Sequence, residues 1–263
     1  MKLHLLSLAA IAGLLPTFVN ANTEKTIFLG PPTVNVPSTS PTLGTLGLDV
    51  LTPESSASSI IRTQLNASFP RNSPYLASFP SSSTGTNADG TDNERGTTSW
   101  FILDNLVPGQ RYEVRVCWAA TQPTAFKLET FPIDTVFDTP DLISSLSTYS
   151  YARHASGGGG SDSGNTAAAA AVVGTETQRS VLFLRIVAAA DYFTLDKALM
   201  THVPPVRVDV ILDPFLLNVL PRSLLPIVGY IVVVAISSWF LAKYIATTIR
   251  FVALQPEQEK KTL

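Results

Sequence analysis

Residues 106–118 read LVPGQRYEVRVCW. Tyr112, Val114, Val116 and Trp118 alternate with Glu113, Arg115 and Cys117. On a strand, a period of two puts the apolar set on one face and the polar set on the other. One dry face and one wet face describe an antiparallel strand lying over a core. Pro108-Gly109 is a turn signal: proline presets φ, and glycine supplies a positive φ where a turn needs one. Upstream, Ser99–Leu103 (SWFIL) predicts a second strand.

The pattern Leu106-x-Pro108-Gly109-x-x-Tyr112-x-Val114-x-Val116 resembles the corner before strand F of fibronectin type III and related immunoglobulin-like sandwiches. In that family a tyrosine hydroxyl ties back to the preceding backbone. The resemblance implies a β-sandwich with Leu106, Pro108, Gly109 and Tyr112 as its tyrosine corner. The chain departs from a standard module, because the loop before the corner is longer and strand candidates continue after the module should end. A plain hairpin with a Pro-Gly turn is the alternative for the same residues.

Working toward the N-terminus, residues 70–99 are dominated by Ser, Thr, Asn, Gly and Pro. Such a composition buries too little apolar surface to order itself, so a disordered insertion is expected over about 70–98. Residues 22–65 hold short strand candidates at Thr26–Leu29, Thr33–Val36, Leu46–Leu51 and Ile60–Leu65, punctuated by Gly and Pro. Asn66-Ala67-Ser68 is the one N-x-[ST] sequon, which predicts a glycan on Asn66 in a lumenal segment. Residues 1–21 have the layout of a secretory signal peptide: Lys2, an apolar run over Leu5–Leu15, and Val19-Asn20-Ala21 at the cleavage point. An uncleaved anchor is the alternative.

Toward the C-terminus, Ala125–Phe131 predicts a strand. Residues 132–151 predict a turn and a short helix, opened by Thr139-Pro140-Asp141. Residues 152–178 carry four consecutive glycines and read as a flexible insertion, or alternatively as a boundary between two domains. Ser180–Val187 is almost continuously apolar, as a central buried strand is. A short helix is expected within Ala188–Met200, and a last strand over Val206–Leu212. The uncharged run 214–221 is expected at a membrane surface or against a partner.

Leu224–Ala242 (LLPIVGYIVVVAISSWFLA) has no charged residue. As a helix it spans about 28 Å, close to the hydrocarbon core of a bilayer. Residues 223–243 are therefore expected to be a transmembrane helix, with a buried core helix as the alternative. Lys243, Arg250, Lys260 and Lys261 follow it, which predicts a cytosolic tail over 244–263 and a lumenal domain over 22–222. Lys260 and Lys261 resemble the di-lysine retrieval signal of type I endoplasmic reticulum membrane proteins. That resemblance implies recognition by coat proteins.

Composition narrows the function. The charge is nearly balanced, 18 basic against 20 acidic residues, so no basic face for nucleic acid is expected. Cys117 is the only cysteine, which excludes an intrachain disulfide. No phosphate loop, zinc-binding helix or nucleophile elbow is present in the sequence. His4, His154 and His202 have no partner at ligand spacing. Asp191, Asp196, Asp209 and Asp213 read as caps and solvated strand positions, with a carboxylate cluster as the alternative. The expectation is a mainly β lumenal domain on one helix, with no catalytic residue, no metal and no cofactor. Its function is that of an accessory subunit of an endoplasmic reticulum membrane complex, in glycan or GPI processing or in membrane-protein biogenesis. The partners are then the lipid bilayer, that complex and coat proteins. A cargo or glycan receptor with an aromatic groove at Trp100 and Trp118 is the alternative. An enzyme would need a cleft gathering Asp191, Asp209 and His202.

Overall fold

The computed structural model describes residues 21–36, 42–70, 96–155 and 177–259. Residues 1–20 of the expected signal segment, Lys260, Lys261 and most of both expected insertions lie outside the described residues, while Ala21, expected to end that segment, is the first residue of a strand. The chain divides into two units, Met1–Leu212 and Asp213–Leu263.

The first unit is built from strands. One five-stranded sheet runs β1 (Ala21–Leu29), β6 (Arg111–Ala119), β10 (Val206–Leu216) and β11 (Leu220–Pro221), with β4 (Ile60–Leu65) also paired to β10. The other contains β3 (Asp49–Leu51), β5 (Thr97–Leu103), β7 (Thr124–Pro132) and β9 (Leu182–Ala190), in the order β3-β5-β9-β7. A small ribbon pairs β2 (Val34–Val36) with β8 (Thr177–Arg179). Most pairings are antiparallel, but β3 pairs with β5 in parallel. That pair lies outside the all-antiparallel pattern of immunoglobulin-like sandwiches.

The period-two pattern of β6 sets the core. Tyr112, Val114 and Val116 are fully buried, and Trp118 nearly so. They join Val206, Val208 and Val210 of β10, and Phe101, Leu103, Leu128, Leu184 and Ile186 from the second sheet, in one cluster. The inner faces of both sheets therefore share a core. A buried side chain of this size contributes about 1.5–3 kcal/mol relative to staying exposed.

The second sheet is dry on its outer face too. Helices α1 (Ile133–Asp138) and α2 (Pro140–Ala155) cover it, packing Val136, Leu142 and Leu146 onto Trp100, Ile102 and Phe183. Burial on both faces is why β9 reads as an almost unbroken apolar run. Trp100 Nε1 donates to Ser145 Oγ at 3.2 Å, which fixes α2 over the sheet.

Several boundaries differ from expectation. The single short helix of 132–151 is two helices, and α2 continues to Ala155, into the expected insertion 152–178. Its last turn is held by the 43–49 segment. Arg153 donates to both carboxylate oxygens of Asp49, and Ser150 Oγ donates to the Leu46 carbonyl. At the other end of that insertion, Thr177–Arg179 is strand rather than loop. The helix expected within Ala188–Met200 starts only at Lys197, as α3 (Lys197–Thr201), because β9 stays paired with β7 through Ala190. Asp196 caps α3 by accepting the Ala198 N–H.

Candidate functional site

The second unit carries the strongest functional signal. Pro214 lies between the part of β10 paired with β4 (Val206–Ile211) and the part paired with β11, Leu220–Pro221. Proline has no N–H to give, so a gap between ladders is where a strand tolerates it. Phe215 and Leu216 then pair with Pro221 and Leu220, and the Val219 N–H donates to the Leu216 carbonyl at 3.0 Å.

Leu217 and Asn218 form the tip with φ of 52° and 58°. Two successive positive φ values are what a type I′ turn requires. Asparagine accepts this conformation, whereas a leucine there costs about 1–2 kcal/mol. Leu217 is nonetheless 95% exposed and Val219 78% exposed. Sequence reasoning took 214–221 as one uninterrupted run. Asn218, alone among apolar neighbours, was the signal for the turn.

Asp213 ties the base of this hairpin to the helix entrance. The residue is 5% exposed, and the Ser223 N–H donates to both of its carboxylate oxygens at 3.3 Å. An acidic group here satisfies an N–H that has no helical partner and complements the positive end of the helix. After one 3-10 turn, Arg222–Leu224, helix α4 runs from Leu225 to Glu259.

Over Arg222–Phe251, α4 is long and apolar enough to cross a membrane, and no residue of its apolar window is buried. The 30 residues span about 45 Å, the full thickness of a bilayer with its headgroups. Ser237, Thr247 and Thr248 each donate to a carbonyl one turn back. In hydrocarbon, polar groups must be satisfied within the segment itself. The helix does not stop at the expected limit of 243. Nothing in Lys243-Tyr-Ile-Ala-Thr-Thr-Ile breaks a helix, and the first part of the expected tail continues it.

The corner residues form a compact unit of their own. Gln110 N–H donates to the Val107 carbonyl, closing a turn with Pro108 and Gly109 at its centre, and Gly109 has a φ of 74°. The Val107 N–H donates to the Tyr112 hydroxyl at 2.9 Å, and that hydroxyl donates to Gln110 Oε1 at 3.0 Å. Burial pushes the Tyr112 phenol up, and the Val107 bond opposes it. Leu106 is buried in the shared core. Gly30 closes against this turn so tightly that a Cβ would sit 2.2 Å from the Val107 carbonyl oxygen.

Asn66 is exposed just past the end of β4. Two residues on, Ser68 makes a bridge to β9: its N–H meets the Ala188 carbonyl, and its own carbonyl accepts the Ala190 N–H. The Ser68 hydroxyl is buried, with no hydrogen-bond partner among the described residues.

The outer face of the first sheet is charged. Arg62 donates to both oxygens of Asp209, at 2.7 and 3.0 Å, and this bond holds the Asp209 carboxyl below its usual range. Glu113, only 4% exposed, pairs with Lys25 and Arg115. An open groove of about 790 Å³ on this side is lined by Arg62, Gln64, Cys117, Arg207 and Asp209, among others. Asp191 and His202 do not line it. His202 Nδ1 lies 3.2 Å from the Thr201 hydroxyl, and Cys117 accepts from Thr23 Oγ1 at 3.5 Å. Among the described residues, no group of three or more His, Cys, Asp or Glu is placed to hold a metal ion.

Trp100 and Trp118 are buried in the core, and Trp118 also borders the groove beside Cys117. Trp118 packs edge-on to Phe126 at 4.6 Å, and Trp100 lies under α2. The chain matches no protein-family model, no curated protein and no solved structure.

Proposed function

We propose that the chain is a single-pass membrane protein of the endoplasmic reticulum. Its role is that of a non-catalytic accessory subunit of a membrane-embedded complex, in glycan or GPI processing or in membrane-protein biogenesis. The observation that carries this is α4: an apolar helix whose described side chains find no burial within the chain. Such a helix is stable in lipid or against other apolar helices.

In this proposal the β unit is lumenal and is a β-sandwich, supported by the core that its two sheets share. The Asn66 sequon fits a lumenal position, and Lys260 and Lys261 fit retrieval by coat proteins. A receptor with an aromatic binding groove is disfavoured, since Trp100 is wholly enclosed and Trp118, which borders the charged groove, is only 8% exposed.

Purification of the tagged full chain in mild detergent tests the role. Other membrane proteins should co-purify in fixed ratio. Recovery as a lone monomer from gently solubilised membranes would overturn it. Fractionation of cells with endoplasmic reticulum markers tests the compartment separately.

A further inference from the structure

Four features of the β10–β11 hairpin converge. Its tip presents Leu217 and Val219 almost fully exposed. No residue from Pro214 to Pro221 is charged. Leu217 holds a left-handed backbone that a tight turn in water would give to asparagine or glycine. Asp213 fastens the hairpin base to Ser223, at the entrance to α4.

We propose that the hairpin tip, through Leu217 and Val219, inserts into the headgroup boundary of the bilayer that α4 crosses. This rests on the proposal that α4 spans a membrane. The occupant is lipid, because the same unit supplies both the hairpin and the helix. Leu216 pairs with Leu220, and five residues later, at Leu225, the helix starts. The tip is thus held within roughly 20 Å of that entrance by strand and 3-10 rise alone. The headgroup layer is about 5–7 Å deep on each side, enough to take two apolar side chains at a turn. One helix alone leaves the chain free to rotate and tilt in the membrane. A second, shallow contact beside its entrance fixes the rotation of α4 and the depth of its first turn.

The test uses the full chain with Cys117→Ser, reconstituted at one copy per phosphatidylcholine nanodisc, so that both leaflets are open to solution. An environment-sensitive label is placed by Leu217→Cys, Val232→Cys or Ser56→Cys in turn. Ser56 is an exposed turn position in the first unit. The label at 217 should be quenched by lipid brominated near the headgroup. Its quenching by aqueous iodide should be several-fold weaker than at 56. The label at 232 should be quenched by lipid brominated deep in the chain. If 217 is as open to iodide as 56 while 232 is quenched, the hairpin lies in water and the proposal fails with the span intact. If 232 is not quenched by lipid, the span itself fails and the hairpin proposal with it. Shielding of 217 that needs two copies per disc would mean that a second chain covers the tip, which also overturns it. With Leu217→Gly, which keeps the backbone without strain, a label introduced by Val219→Cys should become accessible to iodide. Continued shielding there would show that Leu217 is not the inserting group.

Discussion

Trp100, Phe101, Tyr112 and Phe183 are wholly enclosed in the first unit, while Tyr230, Trp239, Phe240 and Phe251 of α4 stand 66–71% exposed. Both regions carry large aromatic side chains, yet only one encloses them. Their hydroxyls differ in the same way. In the first unit some bond across the fold, Ser150 to Leu46, Ser180 to Pro31 and Ser145 accepting from the Trp100 indole N–H, while others such as Ser147 and Thr201 bond locally. In α4 they bond back to their own helix. The first pattern belongs to a chain that makes its own dry interior. The second belongs to a segment that takes its apolar surroundings from outside and must satisfy its polar groups alone.

The comparison breaks if the two regions fold as one. Phe101→Ala empties a site between the sheets and should destabilise the first unit by about 4 kcal/mol. Near-ultraviolet circular dichroism of the full chain in detergent should show the loss on heating, with the helical signal of α4 retained. Loss of both signals in one transition would show that α4 depends on the β core.

Val232→Arg attacks the other side. A charge at the centre of a membrane helix costs about 3 kcal/mol in insertion. The variant should shift from the alkali-resistant membrane fraction to the soluble or degraded pool. Unchanged membrane retention would mean that α4 does not cross hydrocarbon at Val232.

Tyr112→Phe sharpens the comparison inside the first unit. It removes the acceptor for the Val107 N–H without emptying the core. Val107 is 54% exposed, so the lost bond should cost about 1.5 kcal/mol, read as a lower thermal midpoint. A neutral result would mean that water replaces the hydroxyl and that the corner is not a structural tie.

How much of this was legible in the sequence follows from the range of each signal. Tyr112–Trp118 and Ser180–Val187 were readable because strand periodicity and continuous apolarity are written in adjacent residues. α4 was readable because an uncharged run of that length has few alternatives. The cover of α1 and α2 over the second sheet was not, since α2 has no clean apolar stripe and its contacts to Trp100 and Leu46 are long-range. The same holds for the burial of Glu113. A glutamate on the polar side of a strand looks solvated until Lys25 arrives from β1, 88 residues away. The end of α2 was misplaced because Arg153 and His154 precede a glycine tract, while Asp49 and Thr45, which bond them, lie far upstream. The hairpin was missed because its turn uses leucine where glycine is expected.

The smallest expected effect concerns Ser68 and turns on when a hydroxyl acts. In the folded unit this hydroxyl is buried and unpartnered, which costs stability. Ser68→Ala should therefore stabilise the unit by about 1 kcal/mol. The same substitution destroys the sequon. If Asn66 is glycosylated in the lumen, glycosidase treatment should speed the gel migration of the unmodified chain and of Ser68→Thr, but not of Ser68→Ala or Asn66→Gln. A hydroxyl that harms the fold yet permits the glycan is one used before folding, while the chain is still extended and Ser68 has not yet met β9. If Ser68→Ala lowers the thermal midpoint, the hydroxyl serves the folded state. If glycosidase changes nothing, Asn66 carries no glycan, and the lumenal placement of the β unit loses this support.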